Sequence, residues 1–508
     1  MVTFFSKNHS VFGKLIDKRI FLVWISVMIY SISLAQPAKQ YDIVISCGRV
    51  IDPETKLDAT KNLGILNGRI EEISSQPLAG KETINVSGLV VSPGFIDIHV
   101  HGRSNKEAEY KLHDGVTTML ELEFGIELLD QWYASRKSKA LINYGASVCW
   151  PFERFLTTGD HKTAIDTLSR LTQSGESNLD SMFNTIQPSF AVTLNPEQMS
   201  ETLQNIRKSL NAGGIGIGVP IGYLPTVKPE EVFRIYQLAA EMKVPVFSHV
   251  RAGGIIAVQQ AIADAMLTGA SLHIVHINST TLGDIHLALE MIQSARDRGF
   301  DISTELYPYT AASTMIQSAV FDTGWQARNG ISYGDLQWVA TGERLTKETF
   351  DQFRKTGGTV IIHSMKPEWI SEGIAASGTI IASDGMRYAK LAHPRCAGTY
   401  ARVLGKYVRE AKLITLMEAI EKMTLLPAKR LELAAPMMRQ KGRIQVGADA
   451  DITIFNPETV VDKASFEKGL EFSQGIEYVL VNGVVALRQG KTVNNIFPGQ
   501  PIFGKYKR

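Results

Sequence analysis

The middle of the chain repeats one pattern, a short β-branched run followed by an amphipathic stretch of helical period. "GGIGIGVPIG" precedes "KPEEVFRIYQLAAEMK", "VPVFSHV" precedes "GIIAVQQAIADAMLTG", and "LHIVHIN" precedes "LGDIHLALEMIQSARDRG". Adjacent strands joined through helices must run parallel, so the pattern calls for an α/β fold, and the number of units suggests a closed (β/α) barrel. Polar residues interrupt each run near its C-terminal end. Barrels of this kind place their active sites on that face.

The two ends of the chain follow another rule. From Tyr41, "YDIVISCGRVIDPETKLDATKNLGILNGRIEEISS" is a series of β-rich runs broken by Gly, Asn and Asp, as in antiparallel hairpins. "KGRIQVGADADITIFNP" and "IEYVLVNGVVALRQGK" repeat that chemistry near the C-terminus, and "VNG" echoes the earlier "LNG". One β domain assembled from both ends is expected, with residues 36–92 and 437–508 flanking a barrel over 93–436. Residues 1–35 stand apart: Lys7, Lys14, Lys18 and Arg19 precede "IFLVWISVMIYSISLA", which fits a signal peptide cleaved after Ala35 and export to a periplasm or beyond. An uncleaved membrane anchor is the alternative, although the apolar run is short for a span and contains serines.

Charge narrows the partners. Lys and Arg nearly balance Asp and Glu at a net +2, with no long basic tract, which argues against a nucleic acid and for a small-molecule substrate. The 3 cysteines are scattered without a CxxC, so any metal must rely mainly on histidines and carboxylates.

Those residues stand at the expected strand ends. His99 and His101 in "SPGFIDIHVHG" are two apart, so on a strand both side chains leave one face and can share an ion. His249 ends "VPVFSHV" and His276 ends the "LHIVH" run, at matching places in successive units. His273 is out of phase and His286 falls in a helical pattern; both read as structural. Asp384 in "TIIASDG" follows small and apolar residues, where a carboxylate needs a cation or a proton, and is placed to act as a general base toward a metal-bound water. Glu121 and Glu123 share a face of "GVTTMLELEFG"; either could complete or bridge a metal site, and Glu123 lies nearer the strand's C-terminal end. Tyr307 and Ser313 in "ELYPYTAAST", with Arg395 in "AHPRCAGT", suit a substrate carboxylate.

In their order and number, "GLVVSPGFIDIHVHG", "GVTT", "INYGASV", "AGGIGIGVPIGY", "SHVR", "VHIN", "ELYPYTAAST", "SDG", "HPRCAGTYARVLGKYVRE" and "KGRIQVGADADITIFNP" resemble the amidohydrolase superfamily, and within it the D-aminoacylases. The resemblance implies a distorted TIM barrel beside a small β-sandwich, and one tight zinc site with a weaker second as an option. It implies metal-dependent hydrolysis of N-acyl-D-amino acids. His99, His101, His249 and His276 fall on the family's metal ligands, Asp384 on its catalytic aspartate, and Tyr307, Ser313 and Arg395 on residues that hold the substrate. Two positions depart from the pattern. The family's zinc-binding Cys in "GNCG" is replaced within "ELEFG", where Phe124 takes its place and Glu123 is one residue out of register, and Asn278 stands where a carboxylate-binding Lys is common. The "LELE" variant is similar to the D-glutamate deacylase branch, pointing to acidic substrates. The alternatives are a cyclic-amide hydrolase of hydantoinase or dihydroorotase type, for which the fourth strand offers no lysine, and a non-catalytic binding protein of the same fold. The sequence leaves the oligomeric state open.

Overall fold

A computed structural model describes residues 39–507 apart from 177 and 387–390. The leader expected over 1–35 lies outside the described residues. Within them no helix is long and apolar enough to cross a membrane.

Eight strands form the central sheet: β1 Phe95–Asp97, β2 Val116–Ile126, β3 Asn143–Cys149, β4 Ile217–Val219, β5 Val246–Ser248, β6 Leu272–Ile274, β7 Ile302–Leu306 and β8 Thr379–Ile381. Each pairs in parallel with its neighbour in sequence. The two edges meet just beyond β1 and β8, where Asp384 N donates to His99 O at 2.7 Å and His101 N donates to Gly385 O at 2.8 Å. Closure removes the open edges of the sheet, and the hydrogen bonds that achieve it involve three of the candidate site residues. Ile96, Leu120, Leu122, Phe247 and Ile380 share one buried cluster with Leu431, Met438 and Ile502 from the C-terminal part of the chain. Strand β2 is buried along its whole length, so its two glutamates, Glu121 and Glu123, are held inside the fold with the apolar residues between and around them.

The chain ends do build one sheet. Its nine strands include Gln40–Asp52, Leu57–Leu66, Arg69–Ser74 and Val90–Pro93 from the N-terminal part and Ile452–Phe455, Ile476–Val481 and Val484–Arg488 from the C-terminal part. The parts join where Val90–Pro93 runs antiparallel to Ile452–Phe455. The "LNG" and "VNG" echo has a physical cause. Asn67–Gly68 and Asn482–Gly483 all take positive φ, as tight hairpin turns require, and a Cβ on Gly483 would stand 2.6 Å from the Cα of Gly68.

One feature was not legible in the strand–helix repeat. Between β7 and β8 the chain inserts a small antiparallel sheet of Ala312–Met315, Leu336–Trp338 and Thr359–Ile362, with its own core around Phe321, Trp325, Trp338 and Phe350. Ser313 belongs to this insert, not to the end of β7.

The barrel and the end sheet meet at His113, the last residue of helix Asn105–His113. Its ring stacks on Phe472 at 3.7 Å between centroids, and Nε2 lies 2.9 Å from Thr492 Oγ1. Burial pushes this imidazole down to about 4, against the opposing pull of Glu109. The native state therefore holds His113 neutral while the unfolded chain takes up a proton near its ordinary value of about 6.5. The associated stability is present above that value and is lost as pH falls toward about 4. The Tm advantage of the wild type over His113→Gln is expected to shrink on acidification across this window, as measured by calorimetry at a series of pH values.

Candidate active site

The sequence "ELEFG" forms the irregular end of β2. Its pairing with β3 shifts between Glu121 and Ile126, and Gly125 takes φ +78°. A Cβ there would stand 2.6 Å from backbone atoms of Val148 and Cys149, so the position excludes other residues. Phe124 N donates to Glu121 Oε1 at 3.2 Å, closing the bend. The irregularity carries the Glu123 carboxylate into the barrel mouth and sets Phe124 in the cavity wall.

Glu123 is the meeting point of the four histidines. Its Oε2 lies 3.2 Å from His99 Nε2 and 3.1 Å from His101 Nε2. The same two nitrogens are 3.5 Å and 3.4 Å from Asp384 Oδ1. The other oxygen, Oε1, lies 2.7 Å from His249 Nδ1 and 3.6 Å from His276 Nε2, and these nitrogens are 3.0 Å apart. Two donor groups result, His99/His101/Asp384 and Glu123/His249/His276, each with its ligand atoms within 4.8 Å of one another. Glu121 does not compete for this place; it turns to His101 Nδ1 at 2.7 Å.

Two of these residues adopt backbone conformations that side chains disfavour. His276 has φ +33° and Asp384 φ +51°. Strain of this kind costs on the order of 1–3 kcal/mol and persists where surrounding contacts over-determine it.

The electrostatics follow from so many carboxylates in a buried space. Burial opposes the charged form of His99, but Glu305 and Asp384 outweigh it and hold the imidazole well above its ordinary value; Glu121 does the same for His101. Glu123 is held well below the carboxylate range because contacts with His101, His249, His276 and His99 overcome its desolvation. His249 moves the other way, lowered by burial and by the neighbouring His276. Asp384 is lowered despite burial, chiefly by Arg395 and His99.

Arg395 opens helix Arg395–Arg402 and is fully buried. Its Nη1 lies 2.9 Å from Asp384 Oδ2, its Nη2 donates to Ser313 O at 3.3 Å, and its guanidinium lies 4.4 Å above the Tyr307 ring. Asn278 donates from Nδ2 to Tyr307 O at 3.1 Å. Among the described residues, Arg395 Nε and Asn278 Oδ1 are buried with no hydrogen-bond partner. Ser313 Oγ turns away to Val360 O at 3.1 Å, so this hydroxyl is engaged within the insert. The histidine cluster, Tyr307 and Asp384 open into a cavity of about 510 Å³, walled by Leu179, Tyr223, Met315, Val320 and Ile362, with Arg251 and Arg328 also lining it.

Of the histidines read as structural, His286 is exposed on helix Ile285–Asp297. His273 is buried, with Nδ1 2.7 Å from Ser303 Oγ and Nε2 3.5 Å from Glu305 Oε2. Glu305 was missed, although it stands beside Tyr307 in "ELYPYT". Its carboxylate lies 2.5 Å from His99 Nδ1, and burial is overcome by His99 and His273 to bring it down to about 2. The available signal was its place near the C-terminal end of the β7 run, two residues before Tyr307.

Residues 383–487, which begin beside Asp384, match the amidohydrolase family. The match to that family model is confined to this C-terminal stretch. Over 471 residues it is 29% identical to a D-aminoacylase of Alcaligenes xylosoxydans xylosoxydans, spanning 88% of this chain and 94% of that one. An N-acyl-D-glutamate deacylase of the same organism is 27% identical over 478 residues, 89% of this chain and 94% of that one. The solved structure of N-acyl-D-glutamate deacylase from Bordetella bronchiseptica, complexed with zinc and a phosphonate inhibitor, superposes with a TM-score of 0.77 at 24% identity, covering 92% of this chain and all of that one. The fold is thus shared with that structure over nearly the whole chain, in which an eight-stranded barrel stands beside a separate β domain.

Replacing Gly125 by Ala forces a Cβ into the β2–β3 contact at a left-handed position. A loss of at least roughly 1–3 kcal/mol is expected in chemical denaturation of Gly125→Ala.

Proposed function

We propose that this chain is a metal-dependent hydrolase that cleaves the amide bond of N-acyl-D-amino acids. The observation that carries the reading is the convergence of four imidazoles and two carboxylates, one of them 2.9 Å from a buried arginine, at the mouth of a sizeable cavity. The relatives named above act in accord with it.

The donor set fits a divalent ion of the zinc class. Imidazole nitrogens and carboxylate oxygens are borderline-to-hard ligands, among the described residues neither donor group includes a cysteine, and Glu123 offers one oxygen to each group of donors. On this reading Glu123 takes the place of the family cysteine, and the arrangement accommodates one tightly held zinc and a weaker second. The ion supplies Lewis acidity toward the amide carbonyl and acidifies water.

The protein groups divide the remaining work. Asp384, kept ionised by Arg395 and His99, accepts a proton from the attacking water. The C–O bond forms as that proton leaves the water; Asp384 then returns it to the amide nitrogen as the C–N bond breaks, and the acid so formed passes its remaining proton to the amine, leaving a carboxylate and an ammonium group. The unpartnered Nε of Arg395, with the Tyr307 hydroxyl and Asn278, anchors the substrate α-carboxylate; Ser313 contributes its backbone environment. Arg251 and Arg328 donate to backbone carbonyls, Val227 O for the first and Thr323 O and Asp322 O for the second. Their positive charge at the cavity supports an acidic D-side chain such as that of N-acyl-D-glutamate.

A cyclic-amide hydrolase that depends on a carboxylated lysine of the fourth strand is disfavoured, since β4 is Ile-Gly-Val and, among the described residues, no lysine lines the cavity. A non-catalytic binding protein would have no use for so costly a buried cluster. We further propose that residues 1–35 direct export, on the strength of their basic start and apolar run.

Asp384→Asn keeps the Glu123/His249/His276 donors intact. Purified variant is expected to retain at least one equivalent of zinc by metal analysis and to lose about 10²–10⁴-fold in hydrolysis of an N-acyl-D-amino acid. Near-wild-type turnover would remove Asp384 from its role. In a matched panel of N-acyl-D- and N-acyl-L-amino acids, the wild type is expected to cleave the D-series, with acidic members favoured; equal or L-selective cleavage contradicts the assignment.

A further inference from the structure

Each histidine of the HxH pair is gripped at the ring nitrogen that faces away from the donor cluster. His99 Nδ1 lies 2.5 Å from Glu305 Oε1, and His101 Nδ1 lies 2.7 Å from Glu121 Oε2. Both carboxylates are almost completely buried, at 1% and 2% exposure, so solvent does not share these contacts. Each also holds a backbone N–H. Glu305 Oε1 accepts from His276 N at 3.2 Å, at a residue whose φ of +33° needs support, and Glu121 Oε1 accepts from Phe124 N at 3.2 Å, beside Glu123. From below, His273 is 3.5 Å from Glu305 Oε2 and is itself tied to Ser303.

We infer that Glu305 and Glu121 are positioning residues for the metal cluster. Each takes the Nδ1–H of one imidazole, so that both rings direct Nε2 toward Glu123 and Asp384, where its lone pair serves a metal once the Nε2 proton is released. With its second contact each fixes the backbone that presents a further donor, His276 in one case and Glu123 in the other. A neutral imidazole has one N–H and one lone pair, and the partner at one nitrogen decides what the other can do. A carboxylate at Nδ1 also makes the ring a stronger donor, the arrangement common behind metal-bound histidines. The inference rests on the metal reading given above. It accounts for two carboxylates that would otherwise be costly passengers in the barrel interior.

The test compares wild type with Glu305→Gln and Glu121→Gln, which preserve volume and one acceptor oxygen but remove the charge and can present an amide N–H to the imidazole. Metal-stripped protein is titrated with zinc in competition with a chromophoric chelator, and near-UV circular dichroism monitors packing. Each substitution is expected to weaken zinc binding by about 10–100-fold with the dichroism unchanged. Affinity within about twofold of wild type in a folded variant overturns the inference and leaves the metal reading standing. Failure of the wild type to bind zinc overturns the metal reading, and this inference with it. Should a variant not fold, the crystal structure of zinc-loaded wild type decides: ligation through Nε2 of His99 and His101, with Nδ1 on Glu305 and Glu121, supports the assignment, and ligation through Nδ1 overturns it.

Discussion

The site depends on one buried carboxylate shared among four imidazoles. Glu123 reaches the barrel axis from an irregular strand end and meets His99 and His101 on one oxygen, His249 and His276 on the other. An ionised carboxylate cannot be buried alone at tolerable cost, so this one fixes where its partners must be. The partners come from β1, β5 and β6. The barrel must be closed for them to meet, and it closes through backbone hydrogen bonds at His99, His101 and Asp384 themselves. Fold and site are in this sense one cooperative arrangement.

The charge inventory explains why such a cluster suits a cation. Glu121, Glu123, Glu305 and Asp384 crowd the same buried volume, and Arg395 is the fixed positive charge in direct contact with one of them. The rest of the negative charge falls on the imidazoles, which is why His99 and His101 are driven to hold protons despite their burial. A divalent ion relieves the same imbalance while releasing those protons. Metal and proton therefore compete for one set of nitrogens, and the carboxylates behind the rings set the balance between them.

Strand ends were the most legible part of the molecule. A single inward histidine at the end of successive β-branched runs can be recognised because barrel architecture gives that position a fixed meaning, and His249, His276 and Asp384 all arrive at the same mouth as the HxH pair. The choice between Glu121 and Glu123 rested, in favour of Glu123, only on its place nearer the strand's C-terminal end, because a period of two puts both on one face. It is decided by the irregularity at Gly125, a tertiary fit against Val148 and Cys149. Glu305 was hidden for a related reason. Its partner His99 is far away in sequence, |i−j| = 206, and no local pattern announces that contact. The inserted sheet between β7 and β8 interrupts the strand–helix repeat, so Ser313 was read as part of a strand end when it belongs to a separate hydrophobic unit.

Chirality gives the arrangement its last constraint. On the proposed reading the substrate is fixed at its carboxylate by Arg395 and Tyr307, on the β7–β8 side, and at its acyl carbonyl by the cluster built on β1, β2, β5 and β6. Asp384 lies between the two, within reach of the amide nitrogen. With both ends of the amino acid held, the α-hydrogen and the side chain have two places left, one toward the barrel wall and one toward the cavity under the insert, where Met315, Val320 and Ile362 stand with Arg328. Exchanging enantiomers exchanges those two occupants. Stereoselectivity then needs no dedicated chiral pocket: it follows from two fixed attachments and one open side, and the insert, which has a hydrophobic core of its own, sets which side chains the open side will take.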